Sequence, residues 1–199
     1  EGQLNTKFYA VDGETGAKKW EALIGARVFS SPAICSIGNS YFGSYTSEQN
    51  SGTFYALDKN GTTKWTHNVG AQIPSSPAIA NDGTIYFGAL NSKLYAFDSN
   101  GTQKWTFNTG GAIYSSPSIG DNGVIYFGCS DHKIYAVDAN GSKRWEYDIE
   151  ANSGIHSSPA IAADGTIYIG SENHRLHALD GNNGSKKWEF VFGGSGSSP

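Results

Sequence analysis

The sequence predicts an all-β fold built from repeated four-stranded antiparallel units, and three observations predict it. A phrase ending in tryptophan recurs five times, as "DGETGAKKW" at Asp12, "DKNGTTKW" at Asp58, "DSNGTQKW" at Asp98, "DANGSKRW" at Asp138 and "DGNNGSKKW" at Asp180. It contains every tryptophan of the chain: Trp20, Trp65, Trp105, Trp145 and Trp188. A second phrase, "SSP", recurs with it from Ser30, Ser75, Ser115, Ser157 and Ser197, so the sequence has a period of about forty residues. Finally, no stretch sustains the apolar period of an amphipathic helix, while glycine, at 26 of 199 residues, and aromatic residues are abundant.

One unit, Ser75 to Gly110, divides at its turn signals into four short strands. "SPAIA" is the first, small and apolar. "NDG" at Asn81 to Gly83 marks a hairpin, because these residues tolerate the positive φ of tight turns. "TIYFG" is the second strand, rich in β-branched and aromatic residues. "LNS" then turns into "KLYAFD", and "SNG" turns into "TQKWTFN". Four antiparallel strands in about forty residues, with short turns and no helix, describe a β-propeller blade.

The same logic disposes of "DSNG" as a metal site. Asp98 can cap backbone N–H groups and Gly101 can supply a left-handed φ, so a turn explains the wording. A calcium loop would need further oxygen ligands, where this sequence continues with Lys104 and Trp105. The Asn-x-Ser/Thr matches at Asn60, Asn100, Asn140 and Asn183 all fall in this turn and are read as turn chemistry, not as sugar acceptors.

Composition narrows the function classes. The 14 basic and 18 acidic residues are scattered without blocks, which leaves no electrostatic footprint for nucleic acid or an anionic membrane. No apolar run approaches the roughly 20 residues that span a bilayer, so no membrane insertion is expected. The chain has no methionine, so the gene is expected to begin upstream of Glu1, where any export signal would lie. Cys35 and Cys129 occupy different repeats at different positions, which gives no reason to pair them and leaves the redox compartment open.

The stretch "YAVDGETGAKKWE", Tyr9 to Glu21, resembles the tryptophan docking motif Ala-x-Asp-x-x-Thr-Gly-x-x-x-Trp of the pyrroloquinoline-quinone-like (quinoprotein-like) propeller repeats, and the other four copies are similar. The resemblance covers nearly the whole chain. It implies a β-propeller and an extracytoplasmic location, in the periplasm, at the cell surface or secreted. That family includes quinone-dependent dehydrogenases and many cofactor-free propellers, among them the barrel-assembly lipoprotein of the Gram-negative outer membrane. For the enzymes it implies an adjacent cysteine pair, a tryptophan stacked on the quinone, a Glu/Asn/Asp set holding calcium and a catalytic aspartate. This chain has no Cys-Cys, and its tryptophans are all in the docking motif, so no catalytic or cofactor-binding residue is carried over and no cofactor is expected.

The repeats run approximately over 1–29, 30–74, 75–114, 115–156 and 157–196, giving four full blades and one outer hairpin, about eighteen strands, in a single propeller domain spanning 1–199 or a fragment of a larger one. An open arc exposes unpaired edges and apolar flanks. The expectation is therefore a piece of a longer propeller; the alternative is a five-bladed ring that closes imperfectly or with another chain.

Divergence between repeats points to a binding rim, because framework positions are fixed by folding. The residue before each SSP differs every time: Phe29, Pro74, Tyr114 and His156. The turns between second and third strands add Asn5-Thr6, Asn91-Ser92, Asp131-His132 and Asn173-His174, and one blade inserts "SYTSEQNSG", Ser44 to Gly52. His132, His156 and His174 share this face, but their spacing matches no ligand motif and they read as polar turn residues, not metal ligands. The SSP serines read as residues that satisfy backbone groups, and no Ser, His and Asp set stands out. The expected function is a non-catalytic scaffold that recognises a protein or a glycan, its partner unknown and its bare ends covered by another chain or by further blades. A quinone-dependent dehydrogenase fragment and a purely structural repeat module are the alternatives.

Overall fold

The structure, a computed structural model, describes residues 6–46, 51–149 and 153–192, and all its regular elements are strands. β1 (Lys7–Val11) and β2 (Lys18–Leu23) form a lone hairpin. β3 (Ala33–Ile34), β4 (Ser40–Gly43), β5 (Thr53–Leu57) and β6 (Thr63–Asn68) form the first complete blade. The second comprises β7 (Ala78–Ile79), β8 (Ile85–Ala89), β9 (Lys93–Phe97) and β10 (Gln103–Asn108). The third comprises β11 (Ser118–Ile119), β12 (Ile125–Gly128), β13 (Lys133–Val137) and β14 (Lys143–Asp148). The fourth comprises β15 (Ala160–Ile161), β16 (Thr166–Ser171), β17 (Arg175–Asp180) and β18 (Lys186–Val191). Each is an antiparallel meander in chain order, as the turn signals require.

The first strands are shorter than "SPAIA" suggests. In the second blade only Ala78 and Ile79 pair, with Tyr86 and Ile85. Pro77 has no N–H to give the ladder, and the N–H of Ser76 is donated sideways, to Ser116 Oγ of the next blade at 2.9 Å. Hydrogen bonding here joins blades instead of lengthening a strand.

The "DSNG" segment is a turn. Asp98 Oδ1 accepts the N–H groups of Asn100 and Thr102 at 2.9 and 2.8 Å, while Gly101 at φ 89° donates its N–H to Asp98 O. The hydrogen bond from the Thr102 backbone, followed by that from Asn100, holds the Asp98 carboxyl below its usual range.

After each such turn one residue is unpaired. In the third blade Val137 pairs with Lys143 and Ala136 with Trp145, so Arg144 is extra; Lys19, Lys64, Lys104 and Lys187 are its counterparts. A bulge bends and twists the outer strand, and the residue opposite each tryptophan is an alanine. The indole is thereby free to lean over the blade edge. Trp20, Trp65, Trp105 and Trp145 each donate Nε1–H to a carbonyl of the following blade, on Lys59, Ser99, Ala139 and Gly181, at 2.8, 3.1, 2.9 and 2.9 Å. Beneath these rings lie Gly61, Gly101, Gly141 and Gly184, all at positive φ, where a Cβ would come within 2.5 to 2.9 Å of the indole. Glycine is required there twice over, by backbone conformation and by space.

The core lies between blades. Phe87 stacks on Phe54 of the preceding blade with centroids 3.9 Å apart and on Tyr95 of its own blade at 5.1 Å. Because β8 is covered on both faces, every one of its residues is buried, which is why second and third strands read as continuous apolar runs instead of alternating ones. Fourth strands face water and alternate.

The two ends differ from these junctions. Trp145 is 8% exposed but Trp188 is 44% exposed, its ring meeting only Tyr168 of its own blade among the described residues. At the other end Tyr9 is 54% exposed, whereas its counterparts Tyr95 and Tyr135 are each 5% exposed. A Cβ at Gly13 or Gly16 would find nothing within 4 Å. The described residues form an open arc, and Trp188 does not dock on the turn of β1 and β2.

Candidate binding rim

On the face where chains enter the first strands, folding uses both serines of the four SSP copies among the described residues. The first serine bridges to the second strand: Ser115 Oγ donates to Gly128 O at 2.7 Å and accepts Gly128 N–H at 2.9 Å, and Ser30 and Ser157 do the same with Gly43 and Gly170. The second serine joins neighbours, with Ser31, Ser76 and Ser116 donating N–H to the Oγ of Ser76, Ser116 and Ser158, each at 2.9 Å. These hydroxyls are structural. Ser115→Ala leaves the Gly128 N–H buried without an acceptor, and an expected loss of about 1–3 kcal/mol is readable by urea denaturation; no measurable loss would count against the bridge.

What remains is the residue before each SSP. Phe29 is 65% exposed and packs near Tyr45 at 6.4 Å, Pro74 is half-buried, and Tyr114 is 40% exposed. Tyr114 meets the His156 ring with centroids 4.4 Å apart. His156 Nδ1 lies 3.0 Å from Glu172 Oε1 and its Nε2 lies 3.1 Å from Ser130 Oγ. A carboxylate only accepts, so Nδ1 carries a proton toward Glu172, while Nε2 accepts the Ser130 hydroxyl in the neutral ring and donates to it in the protonated one. Ser130 and Glu172 come from corresponding turns of adjacent blades, and His156 reaches the gap between them.

The Glu–His–Ser order is a set that sequence reading did not find. Its members lie 26 and 16 positions from one another along the chain, and only the rotation between blades unites them. The N–H of Ser130 is spent on Ala112 O at 3.0 Å and that of Glu172 on Gly154 O at 3.2 Å, so neither is aimed at a developing oxyanion.

His132 and His174 play another part. Both have positive φ, 70° and 60°, as does Ser92 at 62° in the same turn of the second blade. Their carbonyls accept the N–H of Ile149 and Phe192, each at 3.0 Å, so they close the turn onto the outer strand. No group of three His, Cys, Asp or Glu suited to a metal occurs among the described residues. The legs of the insertion are held by hydrogen bonds between Thr46 and Ser51; its residues 47–50, like Asn5 and Ser197, lie outside the described residues.

The opposite face carries a groove that the repeat comparison passed over. About 630 Å³ opens between the third and fourth blades, lined by Asp121, Asn122, Tyr126, Asp164 and Asn182 among others. Tyr126 stands on β12, and the other four lie in turns that two adjacent blades bring together.

No family model matches the chain, and no curated protein matches it. Solved structures do. The crystal structure of BamB from Moraxella catarrhalis superposes with a TM-score of 0.75 over 94% of this chain and 55% of that one, at 22% identity. A europium-containing methanol dehydrogenase superposes at 0.77 over 94% of this chain and 47% of that one, at 14% identity. This chain has the β-propeller fold of those two proteins. It spans about half the length of those two chains, and the likeness extends to the fold alone.

Quinone chemistry does not fit the described residues of this arc. Cys35 and Cys129 are free and sit in different blades, and burial pushes the Cys129 thiol up to about 11. Four indoles are committed to neighbouring carbonyls and the fifth faces solvent on an outer strand.

Proposed function

We propose that this chain is a non-catalytic propeller platform that recognises a protein or a glycan outside the cytoplasm, through the rim formed by Phe29, Pro74, Tyr114, His156, His132 and His174. The observation that carries the reading is the exposed cluster of Tyr114, His156, Glu172 and Ser130, placed where the adjoining serines are consumed by folding. An aromatic face beside a carboxylate and a hydroxyl suits a sugar ring, whose C–H face stacks while its hydroxyls bond, and it equally suits a polar protein loop with one aromatic anchor. The residue preceding SSP changes from blade to blade, as a recognition surface would and a folding device would not.

The labelled chain is to be applied to an oligosaccharide array, with Tyr114→Ala and His156→Ala alongside. Each substitution is expected to cut binding about tenfold, the usual scale of a contact worth somewhat over 1 kcal/mol. Binding unaffected by both would place recognition elsewhere and sink the rim. If no oligosaccharide binds, the glycan arm falls, and photo-crosslinking from position 114 to a protein ligand tests the other.

A further inference from the structure

We propose that the two bare ends of the arc are complementary and that a second copy of this chain covers them, Trp188 of each copy docking on the Asp12–Gly16 turn of the other. The internal junctions define what a finished junction contains. An indole N–H meets the carbonyl of the residue after the turn aspartate, a glycine lies under the ring, and the indole also packs on the last apolar residue of the third strand, as Trp65 does on Phe97 with centroids 5.8 Å apart. The residue two beyond the tryptophan meets the middle of that strand: His67 with Tyr95 at 6.3 Å, Phe107 with Tyr135 at 5.6 Å and Tyr147 with His177 at 6.1 Å.

One end of the arc holds an unused donor half of this device and the other an unused acceptor half. Trp188 and Phe190 are exposed on β18, while Tyr9, Val11, Gly13 and Gly16 are exposed or open on the hairpin. By the same register Trp188 falls on Val11, its N–H on Gly13 O, and Phe190 on Tyr9. The acceptor is already shaped. Gly16 N–H donates to Asp12 O at 2.9 Å and Asp12 N–H to Ala17 O at 2.8 Å, with Gly16 at φ 69°. The turn that holds the Trp145 indole has the same pattern, Gly184 to Asp180 and Asp180 to Ser185, both at 2.8 Å, with Gly184 at φ 74°.

Charge does not oppose the contact. Asp12 is paired with Lys19 at 3.0 Å on the acceptor side, and on the donor side Glu189 is shared by Arg175 and Lys186. Exposed apolar side chains at both ends form the kind of patch that a monomer rarely leaves bare. A head-to-tail contact made twice about a two-fold axis closes on itself and gives each end a partner. Two copies also come to about the length of the two solved chains of which one copy overlays half.

The test is sedimentation equilibrium of the 199-residue chain. The expected species has about twice the 21.2 kDa mass of one copy. Trp188→Ala and Val11→Asp, both at exposed positions, the first giving up within its own blade the contact with Tyr168, are each expected to weaken association about tenfold or more with an unchanged circular dichroism spectrum. Mixing the two variants is expected to restore association partway, because Trp188 of one meets the intact turn of the other. A chain that stays at 21.2 kDa at every concentration, a dimer indifferent to both substitutions, or open-ended growth instead of a closed pair would each overturn the proposal.

Discussion

Trp145→Ala is expected to lower the unfolding free energy by about 3–5 kcal/mol in urea denaturation, the usual cost of truncating a buried tryptophan, while Trp188→Ala in a single copy costs less than about 1 kcal/mol. The two residues occupy the same place in the repeat and the same bulged register, opposite Ala136 and Ala178. Only their surroundings differ. Trp145 donates to Gly181 O at 2.9 Å, covers Gly184 and packs among Tyr126, Ile167 and Leu179, so its removal opens a cavity between two blades and leaves Gly181 O with the Tyr126 hydroxyl as its donor. Trp188 has water on that side. Measured on single copies, equal losses at the two positions would mean that the tryptophan stabilises its own blade, and the interblade account would fail. Repeat proteins are held by nearest-neighbour interfaces, so the larger loss should also spread to unfolding of the third and fourth blades together.

Gly88→Ala is the second large effect expected, a loss of about 1–3 kcal/mol from overpacking. Gly88 has ordinary backbone geometry, so the cause is space. A Cβ there would stand 2.2 Å from Ile113 Cγ2, and the same approach recurs between Gly128 and Ile155 at 2.3 Å and between Gly43 and Ile73 at 2.5 Å. Each isoleucine is the plug that a rim loop sends down against the second strand of the preceding blade. Combining Gly88→Ala with Ile113→Ala gives the added methyl the volume vacated by Cγ2, so the double variant should be more stable than the sum of the single losses implies. The excess is the coupling free energy of the pair. Strict additivity would show that the glycine matters for some reason other than this contact.

These contacts mark the limit of what could be read from the chain as text. The period, the four strands of a unit and the role of "DSNG" were legible because turns and alternating patterns are local: Asp98 and Gly101 need only their neighbours to make the turn. The positions before SSP stand out through variation at a fixed place in the repeat. The bulge before each tryptophan was not, since it is a matter of pairing between strands and leaves no residue type that only a bulge explains. Nor was the union of Ser130, His156 and Glu172, whose meeting depends on how far one blade turns relative to the next. The first strands came out shorter than their apolar residues suggest because Ser76 gives its hydrogen bond to another blade, a partner about forty residues away.

The sequence by itself determined the blade: its four strands, its turns, the glycines that those turns demand and the tryptophan at a constant position, all set by interactions within a few residues or across one hairpin. The tertiary structure alone decided what the tryptophan does. The same indole is a bonded, covered link in four places and a bare edge in the fifth, because docking requires a following blade, and whether one stands there is a property of the array and not of the repeat.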